Sequence, residues 1–172
     1  MWRIFRPDAA RVWKDEVVQE RLGRYYDIIG DKVPAKFLIC KKIETKIDLQ
    51  EEMSKLWEEH DKLNERFKSF LKDIDKGDLL LQDMATPETS YLDLKTEIAN
   101  RILQDCHFCE HRCRINRGKG EKGVCQVDGT ARVSSAFLHT GEEAPLVPSG
   151  TIFFSGCNFK CAHNVHIQRV HA

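Results

Sequence analysis

Six of the seven cysteines in this 172-residue chain fall beyond residue 105: Cys106, Cys109, Cys113, Cys125, Cys157 and Cys161, with Cys40 standing apart. The first four are spaced Cys106-x2-Cys109-x3-Cys113-x11-Cys125. Four thiolates from two close-set groups suit tetrahedral zinc or an iron–sulfur cluster, and spacing alone does not choose between them. Cysteines this close in sequence would close only very small disulfide rings, so local pairing is disfavoured and a metal is expected. Gly118, Gly120 and Gly123 let the connecting loop turn tightly. His107 and His111 could each replace a ligand, but four cysteines already complete a shell. A closed four-thiolate site leaves no open coordination position and is therefore structural. Arg112, Arg114, Arg117, Lys119 and Lys122 surround the thiols. They read equally well as charge balance around an anionic site or as loop solvation. The competing reading of the cysteines is a set of free buried thiols.

The last two cysteines stand differently. Thr151-Ile152-Phe153-Phe154-Ser155-Gly156-Cys157-Asn158-Phe159-Lys160-Cys161 runs a short apolar strand into a glycine and a C-x3-C pair. The C-terminal end of a barrel strand is where such folds place their chemistry. Gly156 permits a tight approach, and Phe159 would either shield one side of the site or belong to ordinary core. Together with Leu138-His139-x-Gly141-Glu142-Glu143-x-Pro145-Leu146, this stretch resembles radical S-adenosylmethionine proteins related to pyruvate formate-lyase activating enzyme. Cys106-x2-Cys109-x3-Cys113 and Gly123-Val124-Cys125 look like the leader of that subgroup, so the resemblance covers residues 106 to 161.

The resemblance implies the start of a β/α partial barrel and a four-iron four-sulfur cluster held by C-x3-C-x2-C. The cluster's open iron would chelate S-adenosylmethionine. Reductive cleavage would then yield a 5′-deoxyadenosyl radical that takes a hydrogen from a glycine of a partner enzyme. On that basis Cys157 and Cys161 are the first two cluster ligands. The third place falls at Asn164, a poor iron ligand, with His163 and His166 as the nearby nitrogen donors. The family's following aromatic-Cys-Gln-Asn run is absent. Residues 162 to 172 therefore read as the product of a shifted frame, an early stop or a deliberately shortened chain, and the chain as the first portion of an activating-type enzyme, not catalytic alone. The alternative is a non-enzymatic module that binds zinc at the first cysteine group and serves structure or protein interaction.

Helices are expected to carry these loops. One is predicted from Asp8, just after Pro7, to Ile29, with Gly30 stopping it. Phe37-Leu38-Ile39 is too short an apolar run to distinguish helix from strand. Leu49, Met53, Leu56, His60, Leu63, Phe67, Phe70 and Ile74 alternate four and three residues apart, an a/d seam of coiled-coil type. The seam predicts a helix from about Asp48 to Asp75, capped by Asp48 with Glu51 in a capping box and ended by Gly77. It also predicts self-association or a protein partner along residues 48–75. His60, the seam's polar member, reads as a histidine satisfied by a neighbour. A further helix is predicted from Pro87 to Gln104 with Thr86 as cap and Tyr91, Leu94, Ile98 and Ile102 as its apolar stripe.

Composition changes at Asp105. Arg132–His139 reads as a strand, Gly141–Gly150 as a loop and Thr151–Phe154 as the next strand. The expected layout is a helical region over 1–105, a cysteine-rich leader over 106–150, and the first strand and cluster loop over 151–172. In fold class this is a mostly α region followed by a small α+β cysteine-rich region and an incomplete barrel start. With 27 basic and 27 acidic residues the formal net charge is zero, so no bulk charge draws the chain to nucleic acid or membrane. No apolar run approaches the ~18 residues that span a bilayer, and the first residues lack the apolar stretch of a signal peptide. The expected compartment is the cytoplasm.

Overall fold

The computed structural model describes residues 2–159. In chain order its helices are α1 (Trp2–Phe5), α2 (Pro7–Val12), α3 (Glu16–Ile29), α4 (Lys36–Cys40), α5 (Met53–Lys76) and α6 (Tyr91–Gln104), followed by strands β1 (Val133–His139) and β2 (Ser149–Phe154). The chain divides into two compact units. One is Gln19–Asn100, and the other joins the residues through Val18 to those from Arg101 onward. The N-terminal residues thus group with the cysteine-rich part, where the sequence suggested one helical region over 1–105. Arg6 accounts for this. Its guanidinium binds Asp8 and also the carbonyls of Thr140 and Glu142. Ala9 and Val147 are fully buried in the same unit.

The single helix expected over 8–29 is broken between Val12 and Glu16. Asp15 causes the break: its carboxylate accepts from the backbone N–H groups of Val17 and Val18 at 3.0 and 3.1 Å, which starts a new helix. At the far end Asp31, not Gly30, takes the left-handed conformation, with φ 55°.

In the helical unit the α5 seam is turned inward. Leu56, Leu63 and Ile74 are buried with Ile39, Ile43, Tyr91, Leu94 and Ile98. Each such side chain contributes about 1.5–3 kcal/mol. The seam positions are all buried or half-buried within this unit, so association along residues 48–75 would have to use another face. α5 starts at Met53, later than expected, because the Asp48 carboxylate turns to Gln50 N–H at 2.9 Å in an Asx turn. Gly77 ends it as expected, in the left-handed conformation at φ 80°. His60 is satisfied, as expected of it. Tyr91 Oη and Lys95 Nζ approach its Nε2 at 3.2 and 3.0 Å, and Asp61 Oδ1 lies 3.1 Å from Nδ1. The Lys95 ammonium can only donate, so Nε2 accepts and the ring proton is assigned to Nδ1.

α6 begins at Tyr91 rather than Pro87, because Ser90 and Asp93 form the stronger cap. The Asp93 carboxylate accepts from Ser90 N–H at 2.8 Å and from Ser90 Oγ at 2.6 Å. Thr86 Oγ1 instead accepts from Lys42 Nζ at 2.7 Å. The Ser90 hydroxyl and backbone bonds lower the Asp93 pKa. A carboxylate with a depressed folded-state pKa stabilises the fold above its unfolded value, and that contribution fades as pH falls. Ser90→Ala is therefore expected to cost about 1 kcal/mol at neutral pH. The gap between the variant and the parent narrows below the ordinary carboxylate range, as urea titrations over a pH series will show.

β1 and β2 form an antiparallel pair with Leu138 opposite Gly150 and Ala136 opposite Ile152. β2 starts at Ser149, inside the segment expected as loop. Phe137 and Phe153 stack on one face with centroids 5.8 Å apart, while Leu138, Ile152 and Phe154 belong to the other. All five are about half or more exposed. Apolar residues on both faces are typical of a strand covered on both sides. Among the described residues the sheet has two strands and no barrel.

Candidate functional site

The first cysteine group folds as a narrow loop. Cys106 N–H donates to Ile115 O at 3.0 Å, and Arg114 N–H donates to Cys106 O at 2.9 Å, so the loop closes on itself. Arg112 and Arg114 hold positive φ values of 40° and 55°. Asn116 caps the short 3-10 turn Arg117–Lys119, and Gly120 follows at φ 85°. Cys106 is buried, and Cys109, Cys113 and Cys125 are half-buried.

Of the five basic residues around this loop, one turns inward. Arg117 is 6% exposed. Its Nε donates to Cys106 Sγ at 2.9 Å, and its Nη1 donates to Val127 O. Burial by itself would lower its pKa. Hydrogen bonds to the sulfurs of Cys106 and Cys125 more than offset this, and the pKa stands raised. Gly123 is required here: a Cβ would lie 2.8 Å from Cys113 Sγ and 2.8 Å from an Arg117 terminal nitrogen. Arg114 and Arg112 pair outward with Asp105 and Glu110, and Lys119 and Lys122 are exposed. Arg117 thus turns to the sulfurs, and the others face solvent.

Past β2, Ser155 N–H donates to Arg132 O at 2.8 Å, and Gly156 turns the chain at φ 95°. A Cβ on Gly156 would lie 2.4 Å from Val127 Cγ2 and 2.7 Å from Cys125 O. The turn therefore lies directly on the backbone of the first cysteine group. His111 Nε2–H donates to Asn158 O at 2.8 Å. Cys157, between these two contacts, is exposed, and its sulfur accepts from Phe159 N–H at 3.4 Å. Phe159 is 66% exposed, so it is not core. Cys106, Cys109, Cys125, Arg117 and Asn158 share the wall of an open cavity of about 460 Å³.

Sequence spacing singled out both cysteine groups. It did not anticipate that they adjoin, or that Arg117 enters the first. His107 Nδ1–H donates to Asp105 O at 2.6 Å. Cys40 is buried in the helical unit, and burial pushes its thiol pKa up. Cys161, Asn164, His163 and His166 lie outside the described residues.

The two groups differ in how they suit a metal. Among the described residues no three histidine, cysteine or carboxylate side chains stand close enough to hold one ion. A guanidinium stands among the leader sulfurs, so Cys106, Cys109, Cys113 and Cys125 in this arrangement do not fit a tetrahedral metal. Cys157 does suit a cluster ligand: its thiol is accessible and receives a backbone N–H.

No family model matches the chain, and no solved structure matches it. An uncharacterized protein of Methanocaldococcus jannaschii is 46% identical over 141 residues, which span 82% of this chain and 39% of that protein. The chain thus spans well under half the length of this curated relative. No helix among the described residues is long and apolar enough to cross a membrane.

Proposed function

We propose that this chain carries part of a radical S-adenosylmethionine protein of the activating-enzyme type, with Cys157 and Cys161 as ligands of a four-iron four-sulfur cluster. One observation carries the reading. The Cys157 thiol stands exposed just beyond the C-terminal end of β2, on the left-handed turn at Gly156, with Phe159 N–H directed at its sulfur. Such N–H···S bonds stabilise a cluster thiolate and tune its potential. Cys161 enters through its C-x3-C spacing to Cys157. When bound, the cluster would supply the electron that cleaves S-adenosylmethionine. The chain's own residues supply sulfur, backbone donors and the glycine turn. With Asn164 at the third ligand position, the proposal is for binding without turnover by these residues alone.

Anaerobic reconstitution with ferrous iron and sulfide tests this. The expected product is brown, with iron and sulfide in equal amounts, and Cys157→Ala lowers bound iron by roughly tenfold or more. Protein that instead holds one zinc and no iron would replace this reading with the non-enzymatic zinc module.

A further inference from the structure

We infer that Arg117 is the resident cation of the leader cysteine loop, and that the loop clamps the Cys157 turn rather than binding a metal. The Arg117 guanidinium meets sulfur and carbonyl oxygen: Cys106 Sγ, Cys125 and Val127 O. The carboxylate on the cavity wall, Asp128, is occupied by Arg132 at 2.9 and 3.0 Å. A tetrahedral metal needs its sulfurs about 2.3 Å from one point. Here a planar, permanently charged group that cannot deprotonate to leave stands against Cys106 Sγ, and Gly123 leaves room for it beside Cys113 Sγ.

The clamp follows from what Arg117 holds. Its bond to Val127 O holds the backbone that follows Cys125. Gly156 packs on that backbone, at Cys125 O and Val127 Cγ2. From another part of the same loop, His111 holds Asn158 O. Cys157 therefore lies between two neighbours, each touched by the leader. Lysine could not replace Arg117, because one ammonium cannot present several donors in the plane that the sulfurs and carbonyl occupy.

The test uses the full chain carrying Cys157→Ser and Cys161→Ser, under reducing, anaerobic conditions. Cobalt(II) titration is expected to give no sulfur-to-cobalt charge-transfer band. Iodoacetamide is expected to modify Cys106 roughly tenfold faster or more once Arg117→Met is added, with the circular dichroism of the helices unchanged, and Arg117→Lys does not restore the slow rate. Amide exchange over residues 155–159 rises in parallel. A cobalt band reaching one equivalent with Arg117 in place overturns the inference. So does Cys106 labelling, or exchange over 155–159, that Arg117→Met leaves unchanged. Both proposed cluster cysteines are absent from this background, so neither outcome bears on the cluster reading, which iron content of the unaltered chain decides separately.

Discussion

Replacing Gly156 with alanine lowers the stability of the cysteine-rich unit by about 2–5 kcal/mol and displaces the turn that carries Cys157. Two costs combine. The first is conformational: φ is 95° at Gly156, a region that side chains rarely adopt. The second is steric. The added methyl would lie 2.4 Å from Val127 Cγ2 and 2.7 Å from Cys125 O. Val127 can rotate, but Cys125 O is backbone and cannot yield without moving the loop that Arg117 holds. Gly120 separates the two costs. It has φ 85°, and a methyl placed there would meet nothing within 4 Å, so Gly120→Ala carries strain alone, about 1–2 kcal/mol. Urea unfolding read by Cys106 labelling compares them. Equal losses at 156 and 120 would show that the leader backbone does not press on the Cys157 turn.

Tyr91→Ala is the second large effect, expected to cost the helical unit about 3–5 kcal/mol. Tyr91 is fully buried. Its ring lies 5.4 Å from His60 and 6.5 Å from Phe67, and the Lys95 ammonium stands 4.3 Å from its centroid. Its backbone N–H donates to Ile43 O at 2.8 Å, anchoring the start of α6. Truncation removes the ring and leaves His60 Nε2 with one donor fewer. Tyr91→Phe keeps the ring and loses only the hydroxyl bond, so it costs about 1 kcal/mol. Urea denaturation followed by far-ultraviolet circular dichroism gives both numbers. A phenylalanine variant as weak as the alanine one would place the energy in the His60 bond instead of the packing.

The part of the fold legible in the sequence is the part written in local repeats. The alternation from Leu49 to Ile74 located α5, and Gly77 located its end, because helical periodicity and a left-handed stop are short-range properties. Helix starts were less legible. Asp48, Thr86 and Asp15 are all chemically able to cap, and which one caps depends on competitors such as Ser90 with Asp93. The cysteines announced themselves by spacing. Arg117 did not, since five basic residues around the loop look alike in sequence. Its inward turn depends on Gly123, and on Gly129, where a Cβ would come 2.9 Å from Arg117 O. The adjacency of Cys125 and Gly156 is a long-range contact with no local signature at all.

The ribbon of β1 and β2 has a consequence for how the chain behaves in bulk. Phe137, Leu138, Ile152, Phe153 and Phe154 offer water-averse area on either side of two strands, and the chain's sequence pI is near 7.0. At neutral pH no long-range repulsion keeps one molecule's ribbon from meeting another's, so colloidal stability is poorest there and improves on either side of the isoelectric point.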